Sequence, residues 1–290
     1  MATNLAKAYV QIVPSAEGMK GMIEQVMGKD LEEAGEKAGN SIASKIKNII
    51  VAAGIGKVVS QAFTEGSALE QSLGGIETLY RENADKMKAY AKEAYKTSGV
   101  SANAYMENVT SFSASLISSL KGDTSKAADI ANRAMQDMSD NSNKFGTNIQ
   151  DIQNAYQGFA KQNYTMLDNL KLGYGGTKEE MQRLLKDAQK LSGQKYDISN
   201  LADVYTAIGV IQDNLGITGT TAKEAATTFS GSFGSMKAAA QDFLGNVAIG
   251  GDVTGTLSNL ITTASTFLFD NAVPMALNIV QGFATALISA

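Results

Sequence analysis

Residues 166–191 hold the stretch of this chain whose spacing most invites a chemical reading. Gly173, Gly175 and Gly176 flank Tyr174 and run into Thr177 and Lys178, a glycine loop before a helix start. Such a loop can cradle a phosphate, because a helix N-terminus offers unpaired N–H groups and a favourable dipole. The spacing argues against a nucleotide site. A P-loop needs G-x-x-x-x-G-K-[ST], and a dinucleotide fingerprint needs a strand before its glycines, whereas the residues before Gly173 read as helical. What is left is a hinge into a capped helix. Thr177 and Glu180 form a T-x-x-E box, in which each side chain covers an N–H of the first turn. Met181, Leu184, Leu185, Ala188 and Leu191 then fall on one apolar stripe.

Other chemistry-bearing residues are dispersed. Glu179, Glu180, Asp197, Asp203 and Asp213 lie on separate turns. They form neither a calcium loop nor a carboxylate pair placed for glycoside hydrolysis. The chain has no Cys, His or Trp. That removes thiolate nucleophiles, Cys-ligated metals, the Ser-His-Asp arrangement and the H-E-x-x-H zinc site. The expectation is a chain that is not an enzyme, with no catalytic, cofactor-binding or metal-binding residue and no cofactor. Charged residues of 67–242 are expected on solvated helix faces. Many of the 12 methionines, including Met135, Met138 and Met181, sit on apolar stripes and are expected in the core rather than on an adaptable binding surface.

Formal net charge is −4 and the pI about 5.1, so the basic patch of a sequence-specific nucleic-acid binder is missing. The opening M-A-T-N-L-A-K-A-Y-V has no basic region followed by a long apolar core, and no leader is expected. Two prolines in 290 residues, with abundant Ala, Ser, Lys, Gln and Met, favour long helices.

These features predict an all-α fold, a bundle or array of amphipathic helices with one short strand and an apolar helical C-terminal end. Three parts are expected. Residues 1–66 carry the strand, 7–13, and a glycine-dotted apolar helix at 46–63. Residues 67–250 form a helical domain. Its seven helices start at a Ser67–Glu70 box and carry stripes through Met87–Tyr95, Tyr105–Leu120, Ala127–Met138, Ile149–Phe159, Met181–Leu191 and Leu201–Leu215. A Thr147–Gln150 cap opens the fourth, and a Thr221–Glu224 box opens a last helix reaching about Val247. Residues 251–290 are a low-charge apolar segment that is expected to continue in a longer protein. From Phe243 to Ala290 the charges are Asp252 and Asp270 alone. The uncharged run Asn271–Ala290 has the length of a membrane span, with Asn278 and Gln281 counting against one.

The wording of several segments resembles the N-terminal region of phage tail tape measure proteins. These segments are A-Y-V-Q-I-V-P-S at 8–15, E-Q-S-L-G-G-I-E-T-L-Y at 70–80, and above all A-N-R-A-M-Q-D-M-S-D-N-S-N-K-F-G-T-N-I-Q-D-I-Q-N-A-Y-Q-G-F-A-K-Q-N-Y-T-M-L-D-N-L-K-L-G-Y-G-G at 131–176. The apolar helix at 46–63 and the low-charge tail look like the family's too. The resemblance implies a structural protein of the virion, held in the tail lumen and present in the host cytoplasm during assembly. Tail tube protein would polymerise around it and its length would set tail length. Tail assembly chaperones and tail tip proteins are the implied partners, several copies would associate, and the chain would assist genome ejection through the host envelope. A host membrane and a host sensor of tail proteins are further partners compatible with it. As one continuous helix, 290 residues would reach ~435 Å, and family members are several times longer. The alternative reading is a membrane-active helical pore former or effector, resting on residues 46–63 and 243–290.

Overall fold

The computed structural model describes residues 55–279 and 281, all within one compact unit, Ala53–Ala290. The strand expected at 7–13 and the part of the apolar helix before Ile55 lie outside the described residues. Among those described, the fold is all-α with no strand. Its elements are α1 (Ile55–Tyr80), a 3-10 turn (Arg81–Asn83), α2 (Ala84–Lys92), α3 (Ala94–Thr97), α4 (Ala102–Ser119), α5 (Thr124–Phe145) and α6 (Ile149–Phe159). A second 3-10 turn (Leu167–Leu170) leads to α7 (Lys178–Ser192), α8 (Leu201–Asn214), α9 (Thr220–Thr227), α10 (Phe229–Ile249) and α11 (Val253–Ser265). A π-helical stretch (Thr266–Ala272) and one further helical run, 273–279, follow.

Local chemistry sets most of the helix ends. Ser101, Asp123, Asn148, Thr177, Asn200, Thr228 and Asp252 each accept a hydrogen bond from a first-turn N–H, which satisfies a donor the helix itself cannot. Gly146, Gly193 and Gly250 close α5, α7 and α10 in the left-handed conformation that costs glycine little.

Three expected starts are misplaced. Ser67 and Glu70 lie inside α1, which runs unbroken through the boundary placed at residue 66. Asn148, not Thr147, caps α6. Thr221 lies inside α9, and the expected last helix is two, broken where Thr228 turns extended (φ −124°, ψ 151°). An S/T-x-x-E spacing is common by chance within helices, so the pattern alone does not fix a start.

The core is aromatic. The largest fully buried side chains fall between Ile76 and Tyr205, contributed by α1, α2, α4, α5, α6 and α8. Tyr205 stands edge-on to Phe112 at 5.4 Å and meets Tyr156 at 5.0 Å. Some of the buried tyrosine hydroxyls are partnered: Tyr205 donates to the Tyr156 carbonyl at 2.8 Å, and the Tyr80 and Ser113 hydroxyls share a bond of 2.7 Å; the Tyr156 hydroxyl is buried without a hydrogen-bond partner. The stripes through Met87, Tyr105–Leu116, Ala127–Met138, Ile152–Phe159, Met181–Ala188 and Leu201–Ile211 point into this core, and Met135, Met138 and Met181 are buried in it. Leu191 and Leu215 do not: each is 49% exposed at the last turn of its stripe.

Candidate functional site

The glycine loop is a braced turn. Gly173 takes φ +85°. At Gly176 the backbone passes so close to Thr165 that a Cβ would stand 2.2 Å from the Thr165 carbonyl oxygen. The Thr177–Glu180 box forms in half. Glu180 N–H donates to Thr177 Oγ1 at 3.2 Å, but the Glu180 carboxylate reaches past Thr177 and accepts from Gly175 N–H at 2.9 Å. Arg183 donates to both Glu180 oxygens and to the Gly173 carbonyl, and its guanidinium lies 4.4 Å over the Tyr174 ring. Arg183 and the Gly175 N–H hold the Glu180 carboxyl down at about 2. The Gly175 N–H of the loop is therefore occupied by the protein's own anion. The segment works as a fixed corner between the 3-10 turn and α7.

The structure brings Asp197 and Asp203 to one groove and Asp213 to Arg133. Asp197 accepts from Ser199 N–H and Oγ–H, which lowers its pKa. Asp203 accepts from Asp197 N–H at 2.9 Å. Both edge an open groove of about 640 Å³ that Lys186 and Lys195 also line. Among the described residues no group of three candidate ligands could hold a metal ion.

The expectation of solvated charges fails at three positions among the described residues: Asp137 and Asp140 on α5 and Asp242 on α10 are buried. Arg133 of α5 is partly exposed. Arg133 Nε donates to Asp137 Oδ1 at 2.8 Å, while Nη2 reaches Asp213 Oδ1 at 2.6 Å and Thr218 Oγ1 at 3.1 Å. Asp137 Oδ2 is buried with no hydrogen-bond partner. Burial pushes the Asp137 carboxyl up to about 7 against the pull of Arg133. Gly209 makes this approach of α8 to α5 workable, since a Cβ there would lie 2.8 Å from Asp137 Oδ2. Asp140 caps α9 from another helix, accepting Gly219 N–H at 2.6 Å and Thr221 N–H at 2.8 Å. Asn141 donates to the Leu170 carbonyl at 2.9 Å. These groups tie α5 to α8, α9 and the 3-10 turn. Asp137, fully enclosed, cannot meet a substrate. The sequence did hold a signal: Asn141 continues the Ala127–Ala134–Met138 stripe by three residues, and Asp137 lies three beyond Ala134.

The surface that stands out is apolar and at the C-terminal end. Phe229 and Phe233, each nearly half exposed, meet Phe267 with ring centroids 5.1 and 5.3 Å apart. Phe269, Met275, Leu277 and Ile279 are also exposed. Exposed large apolar groups of this kind are candidate contact surfaces. No helix among the described residues is long and apolar enough to cross a membrane.

No protein-family model, curated protein or solved structure matches the chain.

Proposed function

We propose that the chain is a segment of a phage tail tape measure protein, a structural component that acts in tail assembly and tail length determination and assists genome delivery. The observation that carries the reading is the block 131–176. Its family-like wording covers consecutive elements of the body: most of α5, α6, the second 3-10 turn and the braced glycine corner. Met135, Met138, Ile152, Tyr156, Phe159 and Leu167, all in the block, are buried in the core. The low-charge helical end, with large apolar side chains turned outward, supports the reading from a second side. It suits a chain covered by tube subunits, chaperones or its own copies.

The folded body, residues 69–217, is a poor ruler. About 150 residues packed as a globule have a radius of gyration of ~15 Å, whereas the same residues in one helix would span ~220 Å. In this reading the body is an end piece, and length is carried by helical chain around it. The reading is tested by mass spectrometry of tailed particles purified from cells that carry the gene. Peptides of this chain at a fixed ratio to the tube subunit are expected, and their absence from intact tails would overturn the proposal.

A further inference from the structure

Helix α10 buries its small residues more deeply than its large ones. Its buried face is Ser232, Ser235, Ala238, Ala239, Asp242 and Gly245, while Met236, Phe243, Leu244 and Ile249 are only partly buried and Phe229, Phe233 and Val247 are exposed. The aromatic core draws on residues 69–217, and among the described residues after it Ile249 alone packs partly against that core. What joins α9 and α10 to the body is close backbone approach and polar contact, including the two N–H groups of the α9 start held by Asp140 of α5. A Cβ on Gly66 of α1 would meet the Ala248 Cβ at 2.4 Å, and one on Gly245 would meet Leu69 at 3.2 Å. Gln241 donates to Glu65 at 3.1 Å. At the other end of the seam, a pocket of about 250 Å³ between α5, α9 and α10 is lined by Ser98, Ser139 and Thr221. Their hydroxyls are buried and unpartnered, and Ser98 and Ser139 are only 4% and 5% exposed. The large apolar side chains of α10 are thus only partly buried or exposed, which limits the main source of adhesion between helices, and three hydroxyls at the seam are undersatisfied.

We propose that residues 220–279 form an arm built to undock from the body as a unit, with the buried Asp242 carboxyl as its latch. Asp242 Oδ1 accepts the first N–H of α4, from Ala102, at 2.7 Å. The titratable groups facing it are Glu65 of α1 and Tyr95 of α3. Among the described residues no lysine or arginine forms an ion pair with it. Burial, with Glu65 adding to it, lifts the carboxyl to about 7 in the docked state. Undocked and hydrated, it would return to the ordinary value near 3.9. The docked arm therefore holds a proton that the free arm releases between those values. Docking weakens as pH rises toward 7 and levels off above it. The undocking constant should rise about tenfold between pH 6 and pH 8 by this linkage.

Hydrogen exchange on the whole chain, corrected for intrinsic rates, tests this. Amides of α10 and α11 should share one opening constant, larger than that of α4 to α8, and it should rise about tenfold from pH 6 to pH 8. Asp242→Asn should flatten that rise and leave the pH response of the body in place. The proposal is overturned if arm and body exchange with equal protection, or if Asp242→Asn leaves the rise intact. If that variant does not fold, the wild-type comparison decides: an arm as protected as the body, or indifferent to pH, overturns it.

Discussion

Three glycines within four residues of the corner should respond to alanine in three different ways. At Gly176 a Cβ would stand 2.2 Å from the Thr165 oxygen and 2.9 Å from its carbonyl carbon. Both atoms are backbone, and Asn163 Oδ1 pins Thr165 through its N–H at 3.1 Å and its hydroxyl at 2.8 Å. Relief needs the two segments to part by about 1 Å, a cost of about 2–3 kcal/mol for overpacking. Gly173 has open space around it but sits at φ +85°, so alanine there costs about 1–2 kcal/mol in backbone strain. Gly175 would place its Cβ 3.5 Å from Glu180 Cγ, an ordinary contact. Alanine there should lie within about 0.5 kcal/mol of wild type, or stabilise slightly through the unfolded chain. Urea unfolding of the three variants gives the order directly. For a domain of this size each kcal/mol moves the thermal midpoint by about 2–4 °C, so Gly176→Ala should melt about 5–10 °C lower. Equal effects at Gly175 and Gly176 would refute the close approach of Thr165 and Gly176.

Asp137 and Asp242 both titrate near 7 in the folded chain, well above the unfolded carboxyl value. Stability should fall as pH rises from about 4 to 7 and then level off; urea midpoints across pH 5–8 should show this, with Asp137→Asn removing one proton from the slope, and pH-independent midpoints would contradict it. Asp140→Ala should cost about 2–3 kcal/mol, since two backbone N–H groups of the α9 start lose a charged acceptor, whereas exposed Asp168→Ala should be near neutral by the same melts. Glu180 is held down to about 2, so its contribution is present above about pH 4 and lost as pH falls toward 2; a Glu180→Gln variant should show a shallower acid limb. The pore-former alternative predicts that the chain floats with liposomes and releases dye only when Phe243–Ala290 is present; equal behaviour of the truncated chain would remove it.

The sequence carried the body far better than the arm. Stripes such as Tyr105–Leu116 and Met181–Ala188 are legible because large apolar residues repeat at helical spacing and end up inside. The same rule misleads in α10, where the buried face is Ser, Ala, Gly and Asp and Phe229 and Phe233 are exposed. Periodicity of large apolar residues cannot find a seam made by close backbone approach. Caps were legible where one residue alone decides, as at Thr177. They were not where the partner comes from another helix, as with Asp140 on α9. Buried charge escaped notice for a related reason. Arg133 and Asp137 look like any i, i+4 surface pair until α8 closes over them at Gly209. The corner at 173–176 was legible as a turn, but its bracing by Glu180 and Arg183 depends on contacts the spacing alone does not state.

Tail length is the direct test of the proposed function. On the tape measure reading proposed above, in-frame deletion of residues 220–279 in a tailed particle that carries this chain should leave the folded body as end piece and remove helical chain. Electron micrographs should then show tails shorter by up to ~90 Å, at about 1.5 Å per deleted residue. Intact tails of unchanged length, from particles shown to carry the shortened protein, would contradict the ruler account.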